Sequence, residues 1–308
     1  MRYCDLHCDA LTSEGAASVT GKSLRAGGAL LQCFAAFMRG EDRYADTLAL
    51  CDKFDALCKK ERLNPVRRFA DIKENNINAL LTVEGGGAIE GDPRKLEALY
   101  ARGVRMMTLV WNEPNKLGYP AFPDYRGLTA GNLAERETAQ GLTETGREIV
   151  ERMAELKMLA DVSHGSDKLF EDVAEICARK GVPFVASHSG ANAVHSCARN
   201  LTDFQIRALA DCGGVVGLVF CADFLSHDNS REGQRAALLA HAKHILSVGG
   251  EDVLSIGSDF DGMPPNPYIK GPADMPRLLE DLERAFGARA AEKIASKNFL
   301  RVFKEISA

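Results

Sequence analysis

The stretch RYCDLHCDAL, residues 2–11, reads as a short strand, yet it carries Asp5, His7 and Asp9 at alternate positions where a buried strand normally holds Val or Ile. Residues two apart share a face of an extended chain, so the two acids and the histidine line one side while Cys4, Leu6 and Cys8 line the other. The apolar side is expected to pack outward against helices. On the polar side, His7 and Asp9 are suited to hold a metal, and Asp5, one step deeper, to orient a ligand or close a buried hydrogen bond.

Outward from this stretch, short apolar runs alternate with longer amphipathic ones, the pattern of repeated βα units. The strand candidates are 2–7, 28–37, 78–84, 104–110, 157–163, 182–187, 214–220 and 253–258. Helix candidates lie near 42–62, 93–102, 141–156, 166–180, 202–212 and 231–248, with a last segment from 274 onward. Eight strands with intervening helices, in a chain somewhat over about 250 residues, predict one α/β domain over 1–308, a single (β/α)8 TIM-like barrel rather than two open sheets. Two long irregular stretches, 111–140 and 259–276, each follow a strand and are expected over the C-terminal mouth, where long loops carry function.

The 308 residues carry 38 Lys and Arg against 43 Asp and Glu, a net charge of −5 with no basic run, which argues against a nucleic-acid partner. No segment approaches the roughly 20 apolar residues of a membrane span and no secretion signal is recognisable, so a cytoplasmic protein without a membrane partner is expected. The nine cysteines are odd in number, contain no CxxC pair, and several, such as Cys33, Cys177, Cys212 and Cys221, sit in apolar or helical runs, so they read as reduced thiols.

Residues of metal-binding type gather at the strand ends. His7 and Asp9 close the first, Glu84 the third, and His164, His188 and Asp259 follow the fifth, sixth and eighth. A single such residue is often only a cap, but all six would project into one barrel mouth. Three imidazoles and three carboxylates exceed the needs of one tetrahedral site and suit two divalent ions, pointing to zinc, with Glu84 the natural bridge. Gly85, Gly86 and Gly87 would let the chain turn sharply beside them, although a plain turn explains them nearly as well. His241 and His244, three apart on a charged helix, read as a solvated face, and His195 and His227 as loop residues. Arg199 precedes Thr202, a helix N-cap with Gln205 three residues on. Its spacing is compatible both with a surface arginine and with a guanidinium fork for a substrate carboxylate.

The ordered motifs DLHCD (5–9), VEGG (83–86), RMMTLVWN (105–112), GLTETGREIVERM (141–153), ADVSH (160–164), PFVASHS (183–189), ARNLTD (198–203), GGVVG (213–217), GSDFDG (257–262) and NFLRVF (298–303) resemble the membrane dipeptidase (renal dipeptidase) family of zinc peptidases, family M19, over nearly the whole chain. The resemblance implies a (β/α)8 barrel with two Zn²⁺ per chain, usually a homodimer, that hydrolyses dipeptides through a hydroxide bridging the two ions. It implies His7 and Asp9 on one zinc, His164 and His188 on the other, Glu84 bridging, Asp259 as acid/base beside the bridging water, and Arg199 on the substrate's C-terminal carboxylate.

One position departs from the pattern. Mammalian members carry a histidine after the fourth strand, where this chain has Val110, Trp111 and Asn112. The indole N–H of Trp111 and the amide of Asn112 are the available substitutes as donors to substrate. Two other readings compete: a binuclear amidohydrolase acting on a non-peptide amide or lactone, whose barrels generally open with HxH and bridge through a carbamylated lysine, and a metal-binding barrel without catalysis.

Overall fold

The computed structural model describes residues 1–13, 17–37 and 43–307. Its strands are β1 (Tyr3–Asp5), β2 (Ala29–Phe37), β3 (Asn64–Val66), β4 (Asn78–Glu84), β5 (Val104–Thr108), β6 (Leu159–Asp161), β7 (Val185–Ser189), β8 (Val215–Leu218) and β9 (Leu254–Ile256). The helices are α1 (Gly21–Gly27), α2 (Arg43–Glu61), α3 (Pro93–Arg102), α4 (Glu144–Glu155), α5 (Asp167–Lys180), α6 (Asp203–Asp211), α7 (Ala222–Leu225), α8 (Arg231–Gly249), α9 (Met275–Phe286), α10 (Ala288–Glu292) and α11 (Asn298–Ile306). The strands are paired in the order β2-β1-β9-β8-β7-β6-β5-β4-β3, and β2 also pairs with β4, which closes eight of them into a parallel barrel and leaves β3 outside. The eight are the expected ones. The three-residue β3, containing Pro65, and the short α1 and α7 carry too little periodicity to be read from sequence, and the expected start of α2 at 42 lies outside the described residues.

All seven residues of β4 are buried, so the run NALLTVE is covered on both faces, as in a parallel strand with helices outside and packed side chains inside. The first strand breaks the simple alternation expected of it. Its pairing with β2 slips between Tyr3 and Cys4, and the strand ends at Asp5. Cys4 and Leu6 share a face and join Leu31, Leu80, Met106, Leu159, Val185 and Val215 in one apolar cluster. That set draws on seven barrel strands and on one helix, α11, through Phe299, Val302 and Phe303, so it forms the barrel's floor, closed by the C-terminal helix, rather than an outer helix contact. Cys8 alone of the three packs in the main core.

The helix starts follow local chemistry. Thr202 caps α6 in a reciprocal box with Gln205, Ser166 caps α5 and Thr143 caps α4, each accepting a backbone N–H of the first turn. All nine cysteines are free thiols.

His241 corrects the solvated-face reading. It is fully buried on α8, accepts the Ala191 N–H on Nδ1 at 2.9 Å and donates from Nε2 to the Leu225 carbonyl at 3.0 Å, stapling the helix to two mouth loops. His244 does stay at the surface, 2.7 Å from Asp203. Burial holds the His241 pKa down to about 4. The folded chain therefore binds fewer protons here than the unfolded chain between about pH 6.5 and 4. This contribution is complete above pH 6.5 and is lost on acidification, up to about 3 kcal/mol. Urea denaturation of wild type and His241→Gln across pH 4 to 7 should show a smaller acid-induced loss of stability in the variant.

Candidate metal centre and substrate cavity

The mouth is built by zipping two loops together. Asp9 N donates to the Phe260 carbonyl at 2.8 Å, Asp259 N donates to the His7 carbonyl at 3.2 Å, and Cys8 bridges to Phe260, so the chain after β1 runs beside the chain after β9. This brings Asp259 to His7 and Asp9. His164 and Asp259 both have positive φ, +70° and +62°, a conformation costly for residues other than glycine and concentrated at functional sites. Gly85, with φ +96°, turns the chain after Glu84. A Cβ on Gly86 would fall 2.5 Å from the Leu109 carbonyl, so that position requires glycine.

The six predicted ligand-type residues converge in two groups that share Glu84. His7 Nε2 lies 3.3 Å from Asp9 Oδ2, 3.5 Å from Glu84 Oε2 and 3.9 Å from Asp259 Oδ1. On the other side, Glu84 Oε1 lies 3.0 Å from His164 Nε2 and 3.7 Å from His188 Nε2. The two oxygens of Glu84 thus face different imidazoles.

The protons at this junction argue for cations. His164 Nδ1 lies 2.7 Å from Asn112 Oδ1, which only accepts, so its proton is on Nδ1 and Nε2 is bare. His188 Nδ1 lies 2.7 Å from Ser187 Oγ, whose own proton goes to Asp161. Both Nε2 lone pairs then meet 3.0 Å apart with no proton between them. His7 Nε2 and Asp9 Oδ1 are buried without a hydrogen-bond partner among the described residues. Lone pairs and carboxylates converging in this way are the donor set of divalent metal ions. Among the described residues, two sets of three such groups have all their donor atoms within 4.8 Å of one another: His7, Glu84 and His188, and His7, Asp9 and Asp259.

The electrostatics agree. Burial alone would raise the Glu84 carboxyl, but His7 and His164 hold it well below the usual range. Burial would lower His7, but Glu84 and Asp9 push it well above normal, so a proton on His7 offsets carboxylates that a metal ion would otherwise neutralise. Burial, followed by the charge of Arg199, brings His164 down to about 4, and burial with His7 takes His188 well below its ordinary value, leaving both as neutral ligands. Burial, reinforced by Asp9 and Glu84, raises Asp259 well above the carboxylate range against the pull of His7.

Above these groups opens a cavity of about 1070 Å³. One wall is aromatic: Phe37, Trp111 and Tyr125 pack in series, tilted and then edge-on, with ring centres 5.0 and 4.9 Å apart, and Trp111 stands 6.2 Å from the His164 ring. Arg199 also lines the cavity; it is 3% exposed, its Nε has no partner among the described residues, and the guanidinium lies 5.6 Å over the Phe224 ring. The surface-arginine reading of Arg199 therefore fails. Asn112 lines the cavity with its carbonyl oxygen committed to His164. Among the described residues no lysine lines the cavity, and the group between the imidazoles is Glu84, unlike a carbamylated-lysine centre.

Residues 6–308 match the family model of the membrane dipeptidases, peptidase family M19. The chain belongs to this family. As an M19 member it is a metallo-dipeptidase, a hydrolase acting on peptide bonds. Among solved structures, the dipeptidase AC, a metallo peptidase of family M19, is 26% identical, with a TM-score of 0.86 over 100% of this chain and 99% of that one. A metallo peptidase from Rhodobacter sphaeroides, solved with a phosphinate mimic of the dipeptide L-Ala-D-Ala, is 24% identical with a TM-score of 0.85 over 99% of both chains, and shares the barrel. The Klebsiella pneumoniae "uncharacterized protein in pqqA 5′ region" is 34% identical over 252 residues, 80% of this chain and 89% of that one.

Sequence reasoning passed over three participants in this M19 site. Arg136, in the long loop after β5, pairs with Asp167 and donates to the Cys197 and Asn200 carbonyls at 3.1 and 2.9 Å, bracketing Arg199. Nothing local marks it. Asp161 was visible in ADVSH, an acid shortly before a histidine as Asp5 is in DLH. Gly262 lies so close to the acids that a Cβ there would fall 2.1 Å from Asp9 Oδ2 and 2.5 Å from Asp259 Oδ1. Gly262→Ala should therefore push these two carboxylates aside, lowering metal content and activity, with thermal unfolding little changed because the displaced atoms are side-chain ends. Metal analysis, a peptidase assay and a melting curve on one preparation check this.

Proposed function

We propose that this chain hydrolyses free dipeptides with two zinc ions, working as one catalytic domain over residues 1–308. His7 and Asp9 would hold one ion, His164 and His188 the other, Glu84 would span both, and Asp259 would stand beside the first. The observation that carries this reading is the split of Glu84, one oxygen toward His7 and the other toward His164 and His188, with two bare imidazole lone pairs meeting beside it. Bound there, the ions would act as Lewis acids toward the peptide carbonyl and bring the pKa of a coordinated water from 15.7 to about 7.

The remaining roles belong to the chain itself. Asp259, whose side chain is 16% exposed against 1% for His7 and 5% for Glu84, is the acid of the cluster most open to the cavity, which suits it to take a proton from water and deliver it to the leaving amine. The buried fork of Arg199, its Nε unpartnered, suits the substrate's C-terminal carboxylate. Desolvating that carboxylate against a matched cation favours short substrates that end there. Asn112 orients His164, and it and Trp111 line the cavity as further contacts for substrate. The wall of Phe37, Trp111 and Tyr125 offers a surface to a large apolar side chain.

Purified protein supplied with zinc should bind two ions per chain and cleave unblocked dipeptides, those containing Phe ahead of Gly-Gly. Glu84→Gln and Asp259→Asn should lose this activity, the latter by about 10²- to 10⁴-fold, with the fold intact by circular dichroism. Full activity in both variants would refute the scheme. Arg199→Ala should raise KM for free dipeptides roughly 10- to 100-fold, as expected for a lost hydrogen bond to a charged group, and amidating the substrate's C-terminus should cost wild type a similar factor. Equal turnover of N-acyl amino acids and lactones in the same panel would favour the amidohydrolase reading instead.

A further inference from the structure

The free Nε2 of His188 depends on a chain of buried side chains. Ser187 Oγ lies 2.7 Å from His188 Nδ1 and donates to Asp161 Oδ2 at 2.6 Å. Thr108 Oγ1 donates to the same oxygen at 2.6 Å. The other oxygen, Oδ1, accepts the N–H groups of Ser163 and Ser187 at 3.0 and 2.8 Å. Among the described residues, Asp161 thus takes four hydrogen bonds, all from neutral donors, on β5, on β7 and just after β6.

We infer that Asp161, acting through Ser187, is a positioning residue that keeps the His188 proton on Nδ1 and so presents Nε2 to a metal ion. The inference rests on the reading of the mouth as a metal centre. With its one proton given to the carboxylate, the Ser187 hydroxyl can only accept from the ring, and Nδ1 must carry the proton. The same clamp recurs across the barrel. Asp5 takes the N–H and hydroxyl of Ser258 at 2.8 and 2.6 Å, and Ser258 directly precedes Asp259 as Ser187 precedes His188. In both places a fully buried aspartate grips the serine before a ligand-type residue of the neighbouring strand. Only at Asp161 does the serine hydroxyl go on to touch an imidazole.

Asp161→Asn separates this role from simple support. The amide oxygen must stay on the two backbone N–H groups, which only donate, so the new NH₂ faces Ser187 and Thr108. Ser187 then accepts from the amide and turns its proton to His188 Nδ1, which puts the ring proton on Nε2, where a metal has to bind. Zinc-loaded variant should lose zinc to a competing chelator at concentrations 10- to 100-fold lower than wild type requires, the cost typical of a broken support to a metal ligand. In chelator-treated protein, two-bond ¹H–¹⁵N spectra should show the His188 proton on Nδ1 in wild type and on Nε2 in the variant. Ser187→Ala, which keeps the backbone bonds to Asp161 and removes the relay, should also retain zinc less well. Thr108→Ala, which removes a bond to the same carboxylate oxygen from a residue that does not reach His188, should retain zinc like wild type.

A wild-type ring already protonated on Nε2 would overturn the inference, as would wild-type zinc retention in both Asp161→Asn and Ser187→Ala. Equal loss in Thr108→Ala would reduce Asp161 to structural support and overturn it too. A wild-type chain that retains no zinc would instead refute the metal-centre reading, while the ring spectra would still test the relay by themselves.

Discussion

The pairing of β2 with β4 is the constraint on which both fold and site depend. Seven consecutive residue pairs, from Leu31 with Asn78 to Phe37 with Glu84, join strands that are not sequence neighbours in the sheet, since β3 lies between them in the chain, and this ladder closes the barrel. It ends on Glu84. Closure therefore fixes the height at which a carboxylate enters the mouth, and the glycines after it keep the following turn out of the way. Beneath, α11 plugs the floor with Phe299, Val302 and Phe303, so water reaches the interior from the mouth. A barrel sealed at one end and polar at the other has one place for chemistry.

Charge is what makes that place expensive to build. Asp9, Glu84 and Asp259 crowd around His7, and burial disfavours each of their charges. The residues around them are held from behind: Asp5 by Ser258 and Gln32, His164 by Asn112, and His188 by Ser187 and Asp161. These supports have little room to relax. Gly217 and Gly257 both press against the Ser187 carbonyl, with a Cβ at either falling 1.9 Å or less from it, so the backbone carrying His188 is fixed from the neighbouring strands as well as by its own bonds. Cations at the mouth would convert stored repulsion into binding energy, and a metallo-dipeptidase needs that conversion.

The long loop after β5 has a different part. It folds back through bridges from Gly118 to Leu142 and from Pro120 to Gly165, and Ala121 donates to the His164 carbonyl at 2.6 Å. A small apolar cluster of Ala121, Phe122, Cys197 and Ala198 then docks it on the Arg199 loop, and Arg136 bolts the two together. The loop thus supplies Trp111 and Tyr125 of the aromatic wall, beside Phe37 from β2, and holds Arg199, a buried cation of the cavity, in position. Its length and lack of regular structure made it conspicuous in sequence, but its internal contacts pair residues with no periodic signature.

By itself the sequence determined the eight barrel strands and the six residues at their ends, because strand periodicity and the placement of His, Asp and Glu beyond apolar runs are local patterns that survive without coordinates. It also marked Thr202 as a cap, since a capping box is written in four residues. Tertiary structure alone decided which faces those patterns meet. Closure of the barrel turned the face of Cys4 and Leu6 to the floor and buried His241 on a helix that looks solvated in one dimension. Arg199 became a buried, half-partnered cation only once Arg136 and Phe224 arrived from distant segments. Likewise, the side of each imidazole that carries its proton is set by Asn112 and by Ser187 with Asp161, partners whose geometry exists only when β5, β6 and β7 lie side by side.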